Sequence, residues 1–262
     1  RVLSIQSHVV FGYVGNKSAV FPMQLLGFDV CPLNSVQFSN HTGYSEVAGD
    51  VLDGTQLLAL VKGLEANGLL AFSHVLTGYI GSASFLRAVV SVVETVRRAS
   101  PDVKYVCDPV LGDNGKLYVP EALVDIYKAE VVPIASILTP NQFECELLSG
   151  VPITDEASIF VALEALHGMG VPTVLSVEDN LVLWGGSRKD TAHARFKLTI
   201  PKLAHHFTGT GDLTAALTLA WSHRLPTAFV TACENTIASV QAVCARTCVC
   251  ALTYCAPPPP PP

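Results

Sequence analysis

The sequence predicts an α/β protein with a mostly parallel central sheet and helices on both faces, and three observations carry this. Short β-rich runs alternate along the chain with amphipathic stretches of roughly 10–18 residues, the rhythm of βαβ units. Polar residues and glycines follow directly on apolar runs, where ligand loops sit beyond the carboxyl ends of parallel strands. Half of the 262 residues are hydrophobic and 15% are charged, which supplies a large core and excludes a disordered chain.

Val2–Ser7 reads as the first strand, running into a loop through Gly12 and Gly15. A helical stretch follows and ends at Gly27, with Pro22 marking a kink or restart, and Phe28–Leu33 is the next strand. Thr55 is placed to cap a helix over Gln56–Ala66 that Gly68 stops. Val75–Thr77 is a buried strand ending at Gly78, and Ser82 caps a helix to about Arg98. Val103–Asp108 is a strand, and Pro120 is expected at the first position of a helix through Ala129. Ser136–Leu138 is a short strand ending at Thr139-Pro140. Thr154, followed by Asp155 and Glu156, opens a helix that stops near Gly168 and Gly170. Thr173–Ser176, Leu181–Leu183 and Arg195–Leu198 read as strands, the last two as an antiparallel pair. Two helices, near Asp212–Trp221 and Pro226–Cys255, close the chain. Without a long polar linker or an internal repeat, residues 1–256 are expected to form one domain. The Pro257–Pro262 run is low-complexity polyproline, expected to carry no fold of its own.

Sixteen Lys and Arg against 22 Asp and Glu leave a formal charge of −6, with no basic run. Phosphate-backbone binding needs clustered cations, so nucleic acid is not the expected partner. No apolar run reaches the roughly 18 residues of a spanning helix, and Arg1-Val2-Leu3-Ser4 does not read as a signal peptide. A soluble protein with no membrane partner is expected. The eight cysteines include the cluster Cys244, Cys248, Cys250 and Cys255, but no CxxC pair with a companion His completes a zinc pattern. All eight are expected to be reduced thiols.

The strongest chemical signal is Gly209-Thr210-Gly211-Asp212, leading into the apolar helix. Two glycines let backbone approach a ligand, and a helix N-terminus favours an anion such as a phosphoryl group. Asp212 then either accepts a proton from an attacking hydroxyl or is simply the helix N-cap. A second group is acidic: Asp108-Pro109-Val110-Leu111-Gly112-Asp113 follows one strand, and Thr139-Pro140-Asn141-Gln142-Phe143-Glu144 another. Such hard oxygen donors suit Mg²⁺ with nucleotide phosphates, although singly Asp113 reads as a turn residue and Glu144 as a solvated first-turn residue. A third is the polar loop Ser39-Asn40-His41-Thr42-Gly43-Tyr44, able to hydrogen-bond a small polar substrate or to serve as an ordinary connection.

Ser4-Ile5-Gln6-Ser7-His8-Val9 with Gly12-Tyr13-Val14-Gly15-Asn16-Lys17, then Asn34-Ser35-Val36-Gln37-Phe38-Ser39-Asn40-His41-Thr42-Gly43-Tyr44, closely resemble the pyridoxal kinase family of the ribokinase-like superfamily. Leu76-Thr77-Gly78-Tyr79, the two acidic blocks and the Gly-Thr-Gly-Asp run continue the resemblance in order, over Arg1 to about Cys250. It implies ATP-dependent phosphorylation of the 5′-hydroxyl of pyridoxal, pyridoxine or pyridoxamine. Asp212 would accept the proton, while Gly209, Thr210 and Gly211 hold the phosphoryl group. Ser7 and Thr42 would contact the pyridine ring, walled by Val14, Val36, Phe38 and Tyr79. Asp108, Asp113, Thr139 and Glu144 resemble the residues around Mg²⁺, a monovalent cation (K⁺ or Na⁺) and the ATP phosphates, with Asn141 beside them. Ser176, Val177, Leu203 and His205 would lie on the nucleotide side, and Tyr118 would cover ATP. A cytoplasmic homodimer is the implied assembly. The sequence departs from the family at Thr208, where an aliphatic residue is usual, and in the short stretches Ser176–Lys202 and Asp113–Tyr118. Two competing expectations are a related kinase for another hydroxymethyl heterocycle and a non-catalytic vitamer-binding protein. The ring-side residues argue against the first, and the intact Gly-Thr-Gly-Asp run against the second.

Overall fold

The computed structural model describes residues 1–177, 182–187, 194–203, 205 and 207–254. In chain order the elements are β1 (Val2–Val9), α1 (Asn16–Leu25), β2 (Val30–Phe38), β3 (Gly49–Val51), α2 (Gly54–Ala66), β4 (His74–Thr77) and α3 (Ala83–Ala99). They continue as β5 (Lys104–Cys107), β6 (Gly112–Asp113), β7 (Lys116–Leu117), α4 (Ala122–Ile126), β8 (Ile137–Leu138), α5 (Gln142–Ser149) and α6 (Glu156–Gly168). The chain closes with β9 (Thr173–Val177), β10 (Val182–Ser187), β11 (Ala194–Thr199), α7 (Thr210–Arg224) and α8 (Phe229–Tyr254). Leu181, the side chains of Cys248 and Cys250, Cys255 and the Pro257–Pro262 run lie outside the described residues.

Nine strands form one sheet in the order β11-β10-β9-β8-β5-β4-β1-β2-β3. The six from β9 to β2 run parallel, while β10, which pairs antiparallel with β9 and with β11, and β3 supply the antiparallel pairs. From β1 the chain moves through α1 to β2 on one side, then returns through α2 to β4 on the other. The order therefore reverses at β1/β4, whose carboxyl edge is the usual ligand position in such sheets.

Side chains alternate across each strand. Leu3, Ile5, Val75, Tyr105 and Cys107 face α2, α3 and α6 in the larger core; Val2, Leu76 and Val106 face α1 and α7 in a second one. The same alternation puts Ser4 and Gln6 of β1 on the α7 side, both fully buried. Between Asn34 and Gln37, β2 carries one residue more than its partner β1, a bulge at the point where the site begins.

Several boundaries differ from those the sequence suggests, each for a local reason. Asp53, not Thr55, caps α2, because Gln56 reaches back to the Asp53 N–H while Asp53 accepts from the Gln56 N–H. Asp155 plays the same part at α6, ahead of the expected Thr154. Pro120 lies before the helix, whose N-cap is Glu121; α4 is one short turn followed by a π-type turn at Tyr127–Val131. The second strand begins at Val30 and runs to Phe38. Ser82 caps α3 as expected, and α1 runs through Pro22 unbroken.

Candidate active site

Every residue group singled out at a strand end lies on the carboxyl edge. Ser7 stands near the end of β1 and Phe38 at the end of β2; Tyr79, Asp108 and Thr139 follow β4, β5 and β8; Val177 ends β9. Parallel pairing from β9 to β2 makes one row of these positions.

The centre of the row is the α7 N-terminus. Gly209 is the N-cap, in the left-handed region at φ 82°, so the first-turn N–H groups of Thr210 and Gly211 have no partner within their own helix. A methyl group on Gly209 would sit 2.1 Å from the Tyr13 carbonyl oxygen, so only glycine lets the two loops meet. Ser18 Oγ of α1 also donates to the Gly209 carbonyl at 3.1 Å. Gly15, at φ 54°, lies equally tight on Ser7, 2.1 Å from its carbonyl oxygen by the same measure.

Asp212 is the third residue of α7, not its cap, and its partly buried carboxylate accepts from the Gly15 main-chain N–H. The N-cap reading of Asp212 is therefore corrected. Burial pushes Asp212 up to about 6, and the Gly15 hydrogen bond pulls the other way. Neighbouring Gly211 faces Asp108: a methyl there would stand 3.7 Å from Asp108 Oδ2. Asp108 is 5% exposed and its carboxyl is held well above the usual range, first by burial and then by the charges of Glu144 and Asp212. Thr139 donates to it at 3.4 Å.

Glu144 is not solvated. It is 3% exposed, with Oε1 accepting from the N–H of Leu111 at 2.9 Å and of Gly112 at 3.4 Å, and Oε2 from the Asn141 N–H at 2.9 Å. Asn141 caps α5 reciprocally and donates to the Gly112 carbonyl at 2.7 Å. The pair staples the loop after β5 to the loop after β8. Burial lifts Glu144 to about 8 against those three main-chain donors. Asp113 ends the first strand of a small hairpin, β6–β7, that turns at Asn114-Gly115. None of the ion pairs among the described residues involves Asp108, Glu144 or Asp212. Nor, among those residues, do three His, Cys, Asp or Glu side chains converge to hold a metal. Close, buried and unneutralised carboxylates are nevertheless the donor set that a cation arriving with phosphates would suit.

Around the ends of β1, β2 and β4, Val36 is buried, and Val14, Phe38 and Tyr79 are half-buried. Burial raises the Tyr79 phenol, and Ser35 Oγ donates to the Tyr79 carbonyl, tying β2 to the loop after β4. Thr42 is exposed, on a loop braced by Asn40 donating to the Glu46 carbonyl at 2.9 Å. The His41 ring reaches back to Gly12, so this loop borders the first.

The predicted nucleotide-side residues are not all brought together. Ser176 is fully buried beside Cys145, pointing into the core. Val177 ends its strand next to Asn141. Leu203 packs against Leu213 and Val240 of the last two helices, and His205 is exposed on the approach to Gly209. Tyr118 is 56% exposed. Sequence reasoning missed Ser18, which holds the Gly209 carbonyl: a serine in the first turn of a helix carries no motif.

Comparison with known proteins agrees with this geometry. Residues 59–247 match the family model described as phosphomethylpyrimidine kinase. The pyridoxal kinase of Arabidopsis thaliana is 53% identical over 253 residues, covering 94% of this chain and 82% of that protein. The human pyridoxal kinase is 45% identical over 269 residues, covering 96% and 86%. The Leishmania donovani pyridoxal kinase, solved with ADP and pyridoxamine, superposes with a TM-score of 0.86 at 38% identity, over 92% of this chain and 88% of that one. With 45–53% identity across nearly its whole length and the ribokinase-like fold in common, this chain belongs to the pyridoxal kinase family.

Proposed function

We propose that the chain transfers the γ-phosphoryl group of ATP to the 5′-hydroxyl of pyridoxal, pyridoxine or pyridoxamine, with Asp212 as proton acceptor. The observation that carries this is a half-buried carboxylate, raised to about 6, in the first turn of a helix whose N-cap position admits only glycine, at the sheet's switch point. Relatives solved with ADP together with pyridoxamine or pyridoxine support both substrate classes.

The vitamer ring lies between Val14, Val36, Phe38 and Tyr79, with Ser7 and Thr42 as polar contacts. Its hydroxymethyl arm faces Asp212, which takes the proton as the oxygen attacks phosphorus. The Thr210 and Gly211 N–H groups, with the Gly209 turn, receive the charge on the transferring oxygens, and a fixed main-chain cradle needs no reorganisation at that moment. ATP lies over the loops bearing Asp108, Thr139 and Asn141, toward Val177 and His205. Asp108 and Asp113, with Thr139 and Glu144, would hold Mg²⁺ and a monovalent cation. Bound there, the cations supply charge neutralisation between the acidic pocket and the phosphates. Glu144 serves first as the brace that keeps the Leu111–Gly112 turn in place.

One domain over residues 1–256 and a reduced, cytoplasmic setting complete the reading. All five described cysteines whose state is defined are free thiols, and no helix among the described residues is long and apolar enough to cross a membrane. A homodimer is supported by exposed apolar side chains on the first loop and α1, Phe11, Tyr13, Phe21 and Leu25 among them. Sedimentation tests that point. Thiol titration of the denatured, unreduced protein should find close to eight, and four or fewer would remove the reduced-thiol reading. ATP consumption measured with each vitamer and with hydroxymethylpyrimidine tests the activity. Turnover with the pyrimidine alone would move the chain to the second substrate class.

A further inference from the structure

Gln6 stands in the middle of β1 with its side chain turned toward α7, and it is fully buried. Its Nε2 lies 3.0 Å from Ser4 Oγ, while Oε1 has no hydrogen-bond partner. That oxygen faces the Gly78 backbone, which the Asp212 carboxylate also faces. A methyl group on Gly78 would lie 2.7 Å from Gln6 Oε1 and 3.4 Å from Asp212 Oδ1, so the two oxygens flank the same bare stretch of backbone. A buried amide oxygen with no donor is a costly arrangement. A carboxamide has the same outline with its ends exchanged. Exchanged, Oε1 takes the place 3.0 Å from Ser4 Oγ and can accept its proton, and Nε2–H faces the Gly78 backbone that Asp212 also faces. The Asp212 carboxylate already accepts from Gly15 N–H on one side, and the exchanged amide offers it a second donor.

We propose that Gln6 is a positioning residue whose Nε2 donates to the Asp212 carboxylate and fixes its aim at the attacking hydroxyl. This rests on Asp212 being the proton acceptor. Loss of a charge-assisted donor and of the alignment it gives costs about tenfold in rate. Nothing in the nucleotide or ring pockets changes.

The test compares Gln6→Met, which keeps the bulk and removes both polar ends, Gln6→Glu, which faces Asp212 with a second acceptor, and Asp212→Asn. In Gln6→Met kcat should fall about tenfold while KM for ATP and pyridoxal stays within about twofold; in Gln6→Glu kcat should fall further. A Gln6→Met enzyme with kcat within twofold of the parent, beside a crippled Asp212→Asn, overturns the role of Gln6 alone. An Asp212→Asn enzyme with parental kcat overturns the base assignment instead. Should the Gln6 variants fail to fold, glutamine-labelled ¹⁵N spectra of the parent decide. One slowly exchanging side-chain amide pair should move on Asp212→Asn, and its absence refutes the bond.

Discussion

Replacing Asp212 by asparagine separates catalysis from stability in opposite directions. Asparagine keeps the shape and can still accept the Gly15 N–H, but it is a far poorer base. General-base contributions of about 10²–10⁴-fold correspond to about 3–5 kcal/mol of barrier, so kcat should fall by that factor with KM for ATP little changed. Stability moves the other way. Burial raises the Asp212 carboxyl from its ordinary 3.8 to about 6, so its favourable contribution to folding is complete below 3.8 and is lost as pH rises through 6. Above 6 the folded enzyme carries an ionised group that burial opposes, at a cost on the order of 1–3 kcal/mol. Asparagine removes that cost, so the variant should melt a few degrees higher at pH 7.5. The gain should appear between about pH 4 and 6 and stay constant above. In the parent, the acid limb of kcat/KM should fall near pH 6 rather than near 4. Steady-state kinetics and calorimetry on one preparation read all of this. A variant with kcat within a few-fold of the parent and a lower melting temperature would mean that Asp212 is structural.

Gly209→Ala should cost about 2 kcal/mol or more and abolish most activity, because its methyl meets the Tyr13 carbonyl at 2.1 Å and its φ is 82°. Denaturant titration and turnover check it, and a stable, active alanine variant would contradict the geometry. Asn141→Ala removes a reciprocal cap and the partner of the Gly112 carbonyl, so about 1–3 kcal/mol of stability and a raised KM for ATP are expected. Normal KM would show that the stapled loops do not carry nucleotide. In Asp108→Asn the Mg²⁺ concentration for half-maximal turnover should rise severalfold. Its ligand-free melting temperature at pH 8 should not fall, because burial and two neighbouring carboxylates oppose that charge. Unchanged Mg²⁺ dependence would remove Asp108 from the cation site.

The parallel sheet was legible because Val75–Thr77 and the run ending at Cys107 are apolar on both faces, as buried strands must be. The Gly-Thr-Gly-Asp turn was legible because its glycines break an otherwise apolar helix pattern. Other elements left weaker marks. Gly49–Val51 pairs at the sheet edge with all three residues exposed, so it has no hydrophobic period to read. The β6–β7 hairpin did carry a signal, Asp113-Asn114-Gly115-Lys116, with positive φ at both central residues, which composition alone made look like a loop. Caps went to whichever neighbour found a reciprocal partner: Gln56 decided for Asp53, and Ser158 for Asp155. Within the site, the strand-end carboxylates announced themselves by position. That Glu144 is a buried brace depends on where Leu111 and Gly112 fall in space, and a linear pattern does not hold that information.

The cradle proposed at Gly209–Gly211 is made of main chain, whereas the walls of the proposed acceptor pocket are side chains. The two parts therefore answer to mutation on different terms. Any substitution that spares the glycines leaves the cradle chemically intact, so drift in the pocket walls can change which heterocycle is admitted without rebuilding the transfer apparatus. A family model named for a pyrimidine substrate and close relatives named for a pyridine one then need no separate origin for their chemistry. In directed evolution the same division makes Val36, Phe38, Thr42 and Tyr79 the positions to randomise, and Gly209 and Gly211 the ones to leave alone.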